Sequence, residues 1–174
     1  MARITPVEYE KTSNTARELF DDQISRHGRI TNMKKTLLHS PVAFHALMEW
    51  YPLRDAVRGF IGDKGVNYFC HAISSENSCL ICSTFFRKIL IDAGEDPDNP
   101  VFSEKEQILV EFGKRCVTDA SQIDDELFLK LREYFNEEQI VLLTAFAALM
   151  IATNLINNAL QVDLDEYLES YTRR

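Results

Sequence analysis

The chain has 174 residues, 45% hydrophobic and 26% charged, with 19 basic against 27 acidic side chains and a formal net charge of −8. That length supports one domain with a full core. The acidic balance excludes a phosphate-backbone ligand as the main partner.

In chain order, Thr5-Pro6-Val7-Glu8 has a capping-box pattern with proline at the first helical position, and it predicts a helix that Gly28 closes. A short helix or turn over 32–38 follows. Ser40-Pro41 starts another helix, which Pro52 is expected to kink or interrupt. Gly59, Gly62 and Gly65 read as loosened chain before a helix carrying Val66, Phe69, Cys70 and Ile73, with 74–77 as a short connection.

The next stretch holds the one Cys-x-x-Cys of the chain, Cys79-Leu80-Ile81-Cys82. Asn77 and Ser78 before it are N-cap types, and Gly94 is a C′ glycine. The apolar residues between recur at helical spacing, predicting a dithiol in the first turn of an amphipathic helix. After the acidic loop 94–100, Ser103 to Glu106 is a second capping box for a helix to about Thr118. Ile123, Asp124 and Phe128 open a helix to Phe135, and Asn136 with Gln139 opens a long apolar helix over 137–160. Asp163 and Glu166 mark a final short piece. No strand alternation is present. The expected fold is all-α, a single domain over 1–174 of about eight helices.

The stretch 140–152 is read as a core helix, too short to cross a bilayer. The N-terminus lacks the apolar segment of a signal peptide, and four cysteines then suit a reducing compartment. A cytoplasmic protein with no membrane and no nucleic-acid partner is expected. The amount of apolar surface on the long helix points to a homo-oligomer.

Two thiols at a helix N-terminus suggest redox chemistry, because the unpaired amides and partial positive charge there favour a thiolate. The plainer reading is two small core residues. Zinc held by Cys70, His71, Cys79 and Cys82 is a lesser alternative, weakened because adjacent helical residues diverge by about 100°; no cofactor or metal is expected. Asn154, Asn157 and Asn158 have two readings: they line a pocket or hydrogen-bond across a subunit interface, or, as the plainer reading, they mark the frayed end of a buried helix. Met33, Met48, Trp50, Phe85, Phe86, Phe146 and Met150 read as core, and Cys116 as a core cysteine.

The order of four segments carries a resemblance: Asn32-Met33 with Thr36-Leu37 and His39-Ser40-Pro41; Cys79 and Cys82; Ser103 to Gln107; and 128–160 with Asn154, Asn157, Asn158 and Ala159 near its end. Over about 30–168 the chain resembles the AhpD-like, or carboxymuconolactone decarboxylase-like, proteins. The resemblance implies a compact helical domain assembled as a dimer up to a hexamer. It also implies a thiol-dependent peroxidase or disulfide oxidoreductase acting on hydroperoxides, an alkylhydroperoxidase. Cys82 would attack the peroxide and Cys79 would resolve it, with a dithiol protein as reductant. Two positions depart from the family. Its relay histidine falls at Phe86 and its relay glutamate at Asn67, while Ile81 stands where some members have a histidine. His71 and Glu76 are the candidate substitutes. Without them, general-base help of about 10²–10⁴ in rate is lost, and the alternative is a catalytically degenerate helical oligomer with a structural or binding role.

Overall fold

The computed structural model describes residues 2–172, among which every regular element is helical. Eight α-helices follow one another: α1 (Asn14–His27), α2 (Asn32–Leu37), α3 (Pro41–Met48), α4 (Trp50–Glu76), α5 (Leu80–Asp92), α6 (Glu104–Thr118), α7 (Asp125–Tyr134) and α8 (Glu137–Leu160). Short 3₁₀ turns lie at Tyr9–Lys11, Ala120–Gln122 and Glu166–Tyr171.

Several boundaries follow local chemistry that the sequence displays. Ser103 and Asn136 each close a reciprocal capping box with Glu106 and Gln139. Gly28 ends α1 with a φ of 71° in the left-handed region. Pro52 acts as expected: its missing N–H cannot bond the Met48 carbonyl, and the helix begun at Pro41 ends at Met48, with Pro52 placed in the first turn of the next helix, α4. Three expectations are corrected. The first long helix starts at Asn14, where the Ser13 hydroxyl accepts from the Ala16 amide; the Thr5–Glu8 region leads only into the 3₁₀ turn at Tyr9–Lys11. Ser74–Glu76 is the last turn of α4 rather than a connection. The final 3₁₀ turn follows Asp165, not Asp163, and no side chain caps it.

Helix α4 is broken where the glycines stand. Gly62 has φ 70° and ψ 175°, outside helical geometry, so the helix runs as two straight segments with a bend between. The Phe60 carbonyl accepts from Lys105 Nζ at 3.0 Å.

The core is built where α4, α5, α6 and α8 pack together, around Phe69, Ile73, Leu109, Phe112, Leu143 and Phe146. A smaller cluster of Ala16, Leu37, Leu38 and Phe44 holds α1, α2 and α3 together. By length and composition α8 is the one helix among the described residues apolar enough to cross a membrane. One face of it, including Leu143, Phe146 and Met150, is buried in the core. On the other, Val141 (67% exposed), Ala145, Ala148, Leu155 (62%) and Ala159 form an exposed apolar stripe.

Candidate active site

The dithiol lies at the turn between α4 and α5. α4 ends at Glu76 with Asn77 as its C-cap, and Ser78, with φ 51°, reverses the chain. The turn is closed by the Cys79 amide donating to the Ser74 carbonyl at 2.9 Å. Neither Asn77 nor Ser78 is therefore the N-cap, as the sequence suggested; Cys79 itself occupies that position, in extended geometry. Cys82 is the third helical residue. Both cysteines are free thiols, Cys79 1% exposed and Cys82 5%.

A third element completes the pair. In the last turns of α8, the Asn157 side-chain amide donates to Cys82 Sγ at 3.1 Å and approaches Cys79 Sγ at 3.9 Å. The expectation that Asn154, Asn157 and Asn158 mark a frayed helix end is corrected. Asn154 and Asn157 are buried, and the Ser74 hydroxyl donates to Asn154 Oδ1 at 3.4 Å. Asn158 donates to the Asn77 carbonyl at 3.0 Å. These asparagines tie α8 to the α4–α5 turn.

The electrostatics divide the two sulfurs. The Cys82 thiol donating to Cys79 is the main cause that brings Cys79 down to about 7; backbone amides of Cys82 and Ile81 and the Asn157 amide assist, against burial. Cys82 is pushed well up, first by that same hydrogen bond and then by burial and the Cys79 charge. The pair thus carries one proton and one negative charge near neutrality, with the charge resting on the N-cap sulfur. Cys70 is fully buried, which raises its thiol strongly. Cys116, raised by burial to about 11, lies at the edge of the core away from the cavity.

Above Cys82 opens a cavity of about 520 Å³. Cys82 is in its wall and Cys79 is not, so a substrate meets Cys82 first. The walls are aromatic and apolar: Trp50, Tyr51, Phe85, Phe86 and Tyr167, with Met33, Met48 and Met150. Of the methionines and aromatics read as core, only Phe146 takes no part in the wall. Three cavity residues have a buried polar atom with no protein partner among the described residues: Trp50 Nε1, Asn157 Oδ1 and Asp165 Oδ2. Buried polar atoms are normally paired, and these three have no hydrogen-bond partner among the described residues.

The relay positions fall on the cavity. Asn67 lines it from the second segment of α4, and Phe86 is buried against Trp50 and Phe85. His71 and Glu76 do not line it; Glu76 is exposed at the end of α4. The zinc alternative is also corrected, because no group of three His, Cys, Asp or Glu among the described residues is arranged to hold a metal ion.

No protein-family model and no curated protein matches the sequence. Solved structures do match. The alkylhydroperoxidase AhpD core of an uncharacterized peroxidase-related protein from Ralstonia eutropha superposes with a TM-score of 0.76 at 18% identity, over 96% of this chain and 94% of that one. The chain has the AhpD-like fold. An uncharacterized peroxidase-related protein from a Silicibacter species matches at TM-score 0.72 and 14% identity, covering 94% and 93% of the two chains. The debrominase Bmp8 matches at 0.79 and 18%, covering 97% and 95%, and a cysteine-to-alanine variant of it is also known in complex with 2,3,4-tribromopyrrole. At these identities the likeness establishes the all-helical AhpD-like fold.

Proposed function

We propose that this chain is a dithiol oxidoreductase that reduces an organic hydroperoxide, with Cys82 attacking and Cys79 acting first as base and then as resolver. The observation that carries the reading is the asymmetry of the pair: Cys82 lines the cavity while its proton is shared with a Cys79 held near neutrality. With no relay histidine or glutamate, the N-cap thiolate is the base that Cys82 touches.

The Cys82 proton passes to Cys79, and the Cys82 thiolate attacks the terminal peroxide oxygen. The O–O bond breaks, leaving a sulfenic acid on Cys82 and an alkoxide that takes the proton back from Cys79 as it leaves as an alcohol. The Cys79 thiolate then attacks the Cys82 sulfur. Hydroxide departs, is protonated by solvent, and the disulfide forms. The peroxide gains two electrons and the dithiol loses two; a dithiol protein restores the pair. We further propose that the exposed stripe on α8 buries itself in a homo-oligomer.

A second substrate suits the same machinery, and the aromatic cavity wall favours it. The Cys82 thiolate attacks the halogen of an aryl halide, the carbon–halogen bond breaks as the carbon takes the proton held on Cys79, and the Cys79 thiolate so formed expels halide from the Cys82 sulfur to give the same disulfide.

Thiol titration with mass spectrometry tests both. Treatment with an organic hydroperoxide or a bromophenol should convert Cys79 and Cys82 to a disulfide that a dithiol reverses. Cysteines that stay reduced until the protein unfolds would establish the degenerate oligomer instead.

A further inference from the structure

Beyond the dithiol, the cavity contains a charge that the proposed chemistry does not use. Lys34, on α2, is 7% exposed and is one of the residues that line the cavity. Its partners are neutral: Gln23 Oε1 at 2.5 Å and the Tyr51 hydroxyl at 2.7 Å. An ammonium has three donors, and the third has no partner among the described residues. No carboxylate compensates it, and a buried charge is normally paired.

The other cations at this cavity are already engaged. Arg54 pairs with Asp55 at 2.7 Å, Arg58 with Asp63 at 3.7 Å, and Lys88 with Asp92. Arg29 lies over the Tyr167 ring, 4.4 Å from its centroid, with Asp165 close enough to feel its charge. One positive charge is left over, buried beside aromatic walls in a chain of net charge −8. Such a charge matches a single negative charge on an otherwise apolar body.

We propose that the cavity takes an apolar organic monocarboxylate, its carboxylate on Lys34 Nζ and its reducible group at Cys82. This rests on the reading of the Cys82 cavity as the substrate site and names the substrate class. The apolar body lies along Trp50, Tyr51 and Phe85, and Asn157 Oδ1 is free to accept a hydrogen bond near the reacting end. The volume, about 520 Å³, is within the usual range for pockets that enclose a small organic molecule.

The chain contains a single tryptophan, and it is the cavity residue Trp50, so its fluorescence reports occupancy. Reduced protein, with no oxidant present, is titrated with 4-phenylbutyrate and with its neutral match 4-phenylbutan-1-ol. The carboxylate is expected to bind at least about tenfold more tightly, the size of one charge-assisted hydrogen bond. Lys34→Met should abolish the difference while leaving the alcohol's affinity in place. Equal affinities in the unaltered protein, or a carboxylate preference that survives Lys34→Met, would overturn the proposal. If circular dichroism shows that Lys34→Met does not fold, Lys34→Gln, which keeps a polar group toward Gln23 and Tyr51, carries the same two outcomes. Because no oxidant is present, an inert dithiol leaves this result unchanged. A reactive dithiol without carboxylate preference removes the subsite alone.

Discussion

Replacing Asn157 by leucine removes the one side-chain amide that reaches both sulfurs, 3.1 Å from Cys82 and 3.9 Å from Cys79. A hydrogen bond to a charged group contributes about 1.5–3 kcal/mol. Sulfur is a weak acceptor and the Cys79 contact is long, so the low end applies, roughly one pKa unit. Asn157 lowers both thiols; without it the proton is held more tightly, and first loss from the pair moves from about 7 to about 8. At pH 7 the thiolate fraction, and with it the rate of iodoacetamide alkylation, should fall about fivefold. Stability should move little. Leucine keeps the branched shape but is larger, and the cost of fitting it is offset because the variant no longer buries an unpaired Oδ1, so unfolding free energy should hold within about 1 kcal/mol. Alkylation rate against pH, read beside urea denaturation, gives both quantities. A folded variant whose titration midpoint stays near 7, or drops, would refute the assignment of Asn157 as a thiolate donor.

Burial holds the folded-state pKa of Lys34 down to about 8, below its usual 10.5. The unfolded chain therefore binds more protons between those values, and stability rises with pH across that window. Lys34→Met should be most favourable to stability below about pH 8, its advantage shrinking toward pH 10.5 in denaturation curves. Gly62→Ala meets no atom within 4 Å, so its cost is backbone strain alone, about 1–3 kcal/mol at φ 70° and ψ 175°; urea denaturation measures it. Leu155→Glu, on the exposed stripe of α8, should turn an oligomer into monomers by light scattering, with helicity unchanged.

The helices were legible wherever a single local rule governed them. The capping boxes at Ser103 and Asn136 need only residues three apart, and both are where the sequence put them. The failures lie where several signals compete. Thr5–Glu8 has the pattern of a helix start, but Ser13 caps the helix that forms. Asn77 and Ser78 look like caps, yet the tight turn needs a left-handed residue at Ser78, which passes the cap to Cys79. The dithiol was legible because Cys-x-x-Cys is local. For Asn157 a place in a pocket was legible as an alternative, but its contact with the sulfurs was not, because they are 75 and 78 residues away. Its signal was present: amides spaced at helical intervals in an otherwise apolar helix are costly unless something pairs with them. Lys34 gave no such signal, since a lysine in a short helix reads as solvated until Gln23 and Tyr51 are seen around it.

The bend at Gly62 divides labour along α4. Trp50, Tyr51, Arg54 and Arg58, before it, face the cavity; Phe69, Cys70 and Ile73, after it, are core beneath the dithiol. The split is not complete: Val57, before the bend, is buried in the same core as Cys79 and Cys82, and Val66 and Asn67, after it, line the cavity. A substitution in either segment of α4 therefore reaches both the cavity and the packing behind the dithiol.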